Sequence, residues 1–552
     1  MDDHRNKHTN DWILQLQFLL KYSIFHRPSR RHLSVTSPCR TSTSPQRKGL
    51  AAPAVAAPVR PFNDIPGPIA LPMLRHSAHV LPRIGNFHHT VGLGLLEGLR
   101  DKYGNLVRLA KANRSRPVLY VFDPEMMREV YESFATEPPR FDKSPLAHHR
   151  KSIGSQQPHS EETKAIWAAI RTLLHDGSLI KNYEQAFDDI AADVTRRLGD
   201  MRHTENTLNE DIETEIYRWA VETLGMMIFG IRLGCLDGSV HVPTAENRIP
   251  ESTSLDDPTP SHCSLSLRSL CSLTAAERLV RASRDIAGGA HLVRSDRTLR
   301  PDTDGFNQAL KGIDRHFSLT EHFLREAMQA LDSGTMKPEQ VLLDKLRPLE
   351  GRMLPLAADI LLAGVDPLAQ TALSIFHQLS LHAARQQRAH DEVSWSIASK
   401  DAGAGTPELN YIGACVRETM RLHPVTGGVV RRNYDDIVVG GYEIPAGVDI
   451  VLAHGVSSKS EKQWGRAKAF IPERWCADRS DPLKASRAHP YSSMPFGENC
   501  PASGIVGKML ETLVTRVVDK YRLEWHGPPP NVVTGGVNRL QPPFYFVLQN
   551  AH

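Results

Sequence analysis

No aspartate or glutamate occurs between Trp12 and Asn63, while Lys21, Arg27, Arg30, Arg31, Arg40, Arg47, Lys48 and Arg60 place eight positive charges in the same stretch. Acid-free sequence rich in Arg and Ser is the composition of an organelle transit peptide, and equally of a disordered basic tail. Two features favour targeting. Trp12 to Phe25 (WILQLQFLLKYSIF) has the pattern of an amphipathic helix, and "RPSRRHLSVTS" resembles a mitochondrial processing region; only the acidic start, "MDDH", departs from the type. The chain also lacks any run of 18 uncharged apolar residues, which argues against a spanning helix. The best candidate, Trp12 to Phe25, is short and is broken by Gln15, Gln17 and Lys21. Cysteine is scarce as well. Seven residues (Cys39, Cys235, Cys263, Cys271, Cys415, Cys476 and Cys500) are odd in number, scattered and without CxxC spacing, which excludes a disulfide-stapled secreted fold and a cysteine-rich zinc site.

What is present is the composition of an ordinary globular protein: 552 residues, 40% hydrophobic, 23% charged, with a formal net charge of +4. Residues 1–60 form the basic tail. "DIPGPIALPML" is a Pro-rich hinge that cannot be helical. "NLVRLAK" and "PVLYVFD" read as a strand pair around a polar turn. From there to about residue 425 the texture is helical: "ETEIYRWAVETLGMMIFGIRL" and "PLAADILLAGVDPLAQTALSIFHQLSLHA" carry apolar residues at helical spacing. After Pro424, "DDIVVGGYEIPAGVDIVLA" has the punctuation of short strands and hairpins. A last helix, roughly Val506 to Tyr521, precedes strand-like "PPFYFVL". Residues 238–273, rich in Ser, Thr and Pro, read as a low-complexity insertion between two helices.

Several motifs follow one another in the C-terminal half. "RETMRLHP" sets Glu418 and Arg421 one helical turn apart, and "FIPERW" with Arg474 follows some 50 residues on. "PFG", then Cys500, then a long helix complete the series. Upstream, "LLAGVDPLAQ" puts Ala363, Gly364 and Asp366 inside an apolar helix, where a buried acid needs a partner or a function. Trp167 and Arg171 stand at i, i+4 in "IWAAIRTLL". In this order the motifs resemble the cytochrome P450 family of haem-thiolate monooxygenases, from about residue 62 to 549, with "RWAVETLGMMIFGIRLGCL" and "GGYEIP" closest to the animal mitochondrial branch.

The resemblance implies a mainly α fold with small β-sheets, a P450-like helical bundle around a buried haem formed by residues 61–552. It implies Cys500 as the iron ligand, with Phe496 at the start of its loop. Trp167, Arg171, Arg431 and His489 fall at the positions that meet the haem propionates, and guanidinium groups suit carboxylates well. Glu418, Arg421 and Arg474 fall at the positions of a buried charge network. Two departures are visible. The family's loop, FGxGxRxCxG, is shortened here, with Cys500 four residues after Phe496 and Ala502 in place of a Gly. The oxygen-activating pattern AGxDT becomes Ala363-Gly364-Val365-Asp366-Pro367, without the Thr and with a proline expected to kink the helix. Proton delivery is then expected from Asp366 and water.

The implied partners are O2, a small lipophilic substrate (a steroid, ecdysteroid or sterol-like compound) and a small acidic ferredoxin, with peripheral association at the matrix side of the mitochondrial inner membrane and no nucleic acid. Of the branch's two basic ferredoxin-facing positions, Gly413 and Arg417 here, one is basic. Three other readings stay open at this point: an enzyme that rearranges hydroperoxides without O2, a P450-fold binding protein that has lost haem chemistry, and a defective gene model. In the second of these Cys500 is simply a cysteine in a turn that ligates nothing.

Overall fold

The computed structural model describes residues 58–68, 92–109, 117–133, 145–153, 161–203, 206–208, 212–237, 273–295, 304–336, 342–347, 352–401, 409–498, 500–534 and 537–551. The expected targeting segment, up to residue 57, and the expected insertion, apart from its last residue, lie outside them. The chain divides into two compact units: Met1–Thr90, Gly94–Pro138 and Val430–Leu452; and Val91–Leu93, Pro139–Val429 and Ala453–His552.

The first unit is built on the expected strand pair. β1 (Leu106–Leu109) runs antiparallel to β2 (Val118–Val121), with Leu106 opposite Val121. All four residues of β2 are buried, as suits a central strand made of β-branched and aromatic residues. β3 (Val429–Arg432) and β6 (Asp449–Leu452) complete a sheet of order β1-β2-β6-β3, with β6 parallel to β2. β4 (Ile437–Val439) and β5 (Tyr442–Ile444) form the expected hairpin. Its two turn residues, Gly440 and Gly441, have φ of 56° and 77°, which a side chain would disfavour. Helix α1 (Gly92–Tyr103) precedes the sheet. Helix α2 (Pro124–Ser133) begins with proline and is capped by Asp123, whose carboxylate accepts from Glu125 N–H at 3.0 Å.

The second unit is helical: α3 (Pro145–Ser152), α4 (Glu161–Leu174), α5 (Gly177–Asp200), α6 (Ile212–Phe229), α7 (Ala275–Ser295), α8 (Asp304–Asp332), α9 (Leu342–Leu346), α10 (Met353–Ser380), α11 (Ala383–Asp401), α12 (Asn410–Leu422), α13 (His454–Ser457), α14 (Glu473–Cys476) and α15 (Ser503–Lys520). Two-stranded ladders join β7 (Tyr521–Trp525) to β10 (Phe546–Asn550), and β8 (Val532–Thr534) to β9 (Asn538–Leu540). Helix α10 packs on α6, α8, α12 and α15. It is long and apolar enough to cross a membrane, yet 72% of its most apolar window is buried inside the protein. A helix hydrophobic on every side is what a core position requires. Pro367 does not end it; α10 continues to Ser380. The chain is thus mainly α with small β-sheets, as expected.

A buried carboxylate closes the turn after α6. Glu222, fully buried, accepts from Arg232 Nε at 2.7 Å, from Leu233 N–H at 3.0 Å and from Cys235 N–H at 2.8 Å. Gly234 N–H adds a third backbone bond at 3.4 Å, so removing Glu222 strands three backbone donors, while Arg232 keeps Asp193 as a partner. Glu222→Ala is expected to destabilise the fold by on the order of 3 kcal/mol, read as a lower urea midpoint at constant slope.

Candidate functional site

Glu418 and Arg421 lie on one face of α12, where i, i+3 spacing brings their side chains together. The arginine donates Nε–H to Oε2 at 2.9 Å and Nη2–H to Oε1 at 2.7 Å. From α14, Arg474 Nε–H reaches Glu418 Oε1 at 3.0 Å and Trp475 Nε1–H reaches Oε2 at 2.9 Å, while Ile471 N–H adds a bond at 3.0 Å. Glu418 and Arg421 are 0% exposed and Arg474 1%. One carboxylate against two guanidiniums leaves an excess positive charge. Carbonyl oxygens of Ser458 and Ala467, each 2.7 Å from Arg421 Nη1, take part of it. The face of Trp464 lies 5.1 Å from the Arg421 guanidinium and 5.8 Å from that of Arg474. Trp475 and Trp464 were not singled out in the sequence, although Trp475 directly follows Arg474 in "FIPERW".

Burial pushes the Glu418 carboxyl up, but Arg421 and then Arg474 hold it below the usual carboxylate range. A depressed folded pKa contributes stability that is present above the unfolded value and lost as pH falls through the folded one. Acid should therefore destabilise the chain below the ordinary range of a free glutamate. Glu418→Gln, which leaves two buried guanidiniums without a counter-charge, should cost roughly 3–5 kcal/mol at neutral pH and flatten that acid arm. Urea unfolding at a series of pH values measures both.

Cys500 sits just before α15, whose N-cap is Ala502, a residue with no side chain to satisfy the first N–H groups. Burial pushes the Cys500 thiol up from its ordinary value; the Ala502 N–H, the positive charge of Arg171 and the Ser503 N–H pull the other way. The helix N-terminus adds positive potential from the same side. Ser503 Oγ lies 3.0 Å from His175 Nε2 and donates to the Cys500 carbonyl at 3.3 Å. Gly504 lets α15 close on the end of α4: a Cβ there would meet the Leu174 carbonyl oxygen at 3.2 Å. On the other side of the cysteine, Gly497 takes φ 59° in a turn in which its N–H donates to Met494 O at 3.0 Å. Half-buried at the N-terminus of α15, the sulfur lies at the positive end of a helix dipole, a place that fits a haem-iron ligand, while burial holds the free thiol protonated.

Phe496 and Trp167 are partly buried and pack against the same apolar core as Ala502. Arg171, one turn after Trp167 on α4, is the cation that acts on Cys500. His489 donates its backbone N–H to Gln463 Oε1 at 3.2 Å, and its Nδ1 accepts from Tyr491 N–H at 3.3 Å, an assignment that puts the ring proton on Nε2. Arg431 belongs to the first unit, where it is buried with its guanidinium 5.3 Å from the Tyr131 ring centre.

Along α10, Ala363 is exposed in the middle of a largely buried helix, and Gly364 faces α6, where a Cβ would meet Leu224 Cδ1 at 3.0 Å. Pro367 has no N–H to give the Ala363 carbonyl, so the helix itself leaves an acceptor at the exposed stretch. The Asp366 carboxylate is paired within the protein: Tyr217 O–H donates to Oδ1 and Arg539 Nη2 lies 2.7 Å from Oδ2. Neither Tyr217 nor Arg539 carries a recognisable sequence signal, because 149 and 173 residues separate them from Asp366.

The family model for cytochrome P450 matches residues 76–548. Among curated proteins the chain is similar to "Probable cytochrome P450 49a1" of Drosophila melanogaster, 24% identical over 533 residues that cover 89% of this chain and 83% of that protein. It is similar to "Probable cytochrome P450 301a1, mitochondrial" of the same fly, 21% identical over 85% of this chain and 83% of that protein. It also resembles "Cytochrome P450 12b1, mitochondrial" of Drosophila acanthoptera, 24% identical over 85% of this chain and 86% of that protein. A family match of this extent, over a mainly helical fold with the Glu-Arg-Arg network and a half-buried cysteine at a helix N-terminus, places the chain in the cytochrome P450 family, whose cofactor is haem.

Proposed function

We propose that this chain is a mitochondrial haem-thiolate monooxygenase that inserts one oxygen atom of O2 into a C–H bond of a lipophilic substrate, a steroid, ecdysteroid or sterol-like compound. The other atom leaves as water, with electrons from a small acidic ferredoxin and protons from solvent. The observation that carries the reading is the place of Cys500, half-buried at the N-terminus of α15 in a chain of the cytochrome P450 family. Haem bound here would supply the redox-active iron, and a thiolate ligand favours O–O cleavage. Arg171 has a double task, holding negative charge on sulfur and, with Trp167 and the Nε2–H of His489, meeting a propionate. Ala363 offers its carbonyl at an exposed stretch of α10, where it can orient a water that carries protons. Two of the relatives named above are mitochondrial by name, which supports that compartment together with the acid-free N-terminal composition.

The test is the reduced carbon monoxide difference spectrum of the haem-loaded chain. A Soret band at the thiolate position is expected for the natural sequence and its loss for Cys500→Ser, with haem content measured alongside. Bound haem without that band in the natural sequence would overturn Cys500 as ligand.

For the ferredoxin, Arg417 is exposed on α12, its guanidinium 5.8 Å from the Trp475 ring centre. A side chain at the second position, Gly413, would meet Glu511 Oε1 at 2.9 Å. Arg417→Ala should slow reduction by ferredoxin, more so at low salt, with haem content unchanged. Stopped-flow reduction at two salt concentrations reads this directly.

One observation favours a second reading: Pro367 stands where the oxygen-activating hydroxyl is expected, and hydroperoxide-rearranging relatives lack that hydroxyl too. Turnover of fatty-acid hydroperoxides without ferredoxin would support it. Ferredoxin-driven hydroxylation without such turnover would remove it.

A further inference from the structure

Helix α10 is joined to its neighbours by two rungs of the same construction. On α6, Glu213 and Tyr217 are one turn apart; on α10, so are Asp366 and Gln370; on β9, Arg539 and Leu540 are adjacent. The first rung runs from Tyr217 O–H to Asp366 Oδ1, and from Asp366 Oδ2 to Arg539 Nη2 at 2.7 Å. In the second, Gln370 Nε2–H donates to Glu213 Oε1 at 3.3 Å while Gln370 Oε1 accepts from Leu540 N–H at 3.0 Å. Asp366 therefore does for Arg539 what the uncharged Gln370 does for the Leu540 backbone. Burial, and next the Asp366 charge, push the Tyr217 phenol far above its ordinary value, so it stays a proton donor to the carboxylate at every physiological pH.

Both structures spanned by the rungs need them. The β8–β9 ladder consists of two strands of three residues, too small to hold its own position in water. Its other anchors include Asn538 N–H to Val425 O and Asn538 Nδ2–H to Pro424 O, each at 2.7 Å, and the Leu540 side chain buried in the apolar core. Helix α10 lacks one backbone bond, the one Pro367 cannot donate to Ala363, and the rungs at 366 and 370 stand on either side of that proline.

We propose that Asp366 is a positioning residue: through Arg539 it fixes the β8–β9 ladder against α10 and holds the Ala363 stretch in place. The inference does not rest on the proposed function, since the ladder is independent of haem chemistry.

The experiment is hydrogen–deuterium exchange at the amides of β8 and β9 in the haem-loaded full chain, comparing the natural sequence with Asp366→Asn, Arg539→Gln and Arg539→Lys. Asp366→Asn and Arg539→Gln should each speed exchange by about tenfold or more, and Arg539→Lys should stay near the natural rate. Asp366→Asn leaves behind only the Arg539 guanidinium, whose side chain is 19% exposed, whereas Arg539→Gln leaves the 9%-exposed Asp366 carboxylate without its cation, so Asp366→Asn decides the matter if Arg539→Gln does not fold. Natural exchange rates in β8 and β9 for either Asp366→Asn or Arg539→Gln would overturn the proposal. The carbon monoxide spectrum of the same samples reports separately on Cys500, so failure of one reading is not mistaken for failure of the other.

Discussion

The carboxylate of Glu418 is the constraint on which the C-terminal half depends. It accepts five hydrogen bonds, from Arg421 twice, Arg474, Trp475 and the Ile471 backbone, and it does so without solvent. Charges so placed are tolerable only when every partner is present, because each one withdrawn leaves the others buried and unpaired. The excess positive charge reaches onward to backbone carbonyls of Ser458, Ala467 and Gly465. Segments with little regular secondary structure are thereby tied to α12. The stretch from Gly455 to Leu483 is held by its own backbone turns and buried side chains, and the Glu418 network adds the tie to α12.

A second theme is the use of helix ends and turns as electrostatic devices. The sulfur of Cys500 lies at the N-terminus of α15, where the Ala502 and Ser503 N–H groups offset part of the effect of burial on its thiol, and Glu222 meets the N–H groups of Leu233 and Cys235. In both places backbone donors left over by the local geometry are matched to an acceptor that carries, or can carry, negative charge. The difference lies in the second partner. Arg232 closes the Glu222 cluster as an ion pair, which makes it structural. Cys500 keeps a thiol in a half-buried setting whose balance between burial and positive charge a metal ion can tip.

Asp366 illustrates how one residue type in one motif can serve different ends. A buried acid in an apolar helix signals that something must compensate it, and nothing in the local sequence says what. Here the compensation comes from α6 and from a strand near the C-terminus. Next to it, Pro367 removes a backbone donor without ending the helix, since packing on α6, α8, α12 and α15 holds the rod together where its own hydrogen bonding lapses.

The sequence by itself determined the elements whose signal is local. Apolar periodicity marked α6, α10 and α15, alternation marked β1 and β2, and Gly440-Gly441 marked the β4–β5 turn. It also determined the pairing of Glu418 with Arg421, because i, i+3 spacing leaves two side chains on one helix no choice but to be neighbours. Tertiary structure alone decided the rest. Tyr217, Asp366 and Arg539 meet across 149 and 173 residues, and Trp464 lies over two guanidiniums, because chain packing brings together groups between which no spacing rule operates. The same holds for Cys500: its order in the chain was legible, but the charge of Arg171, contributed by a helix more than three hundred residues upstream, became its neighbour only on folding.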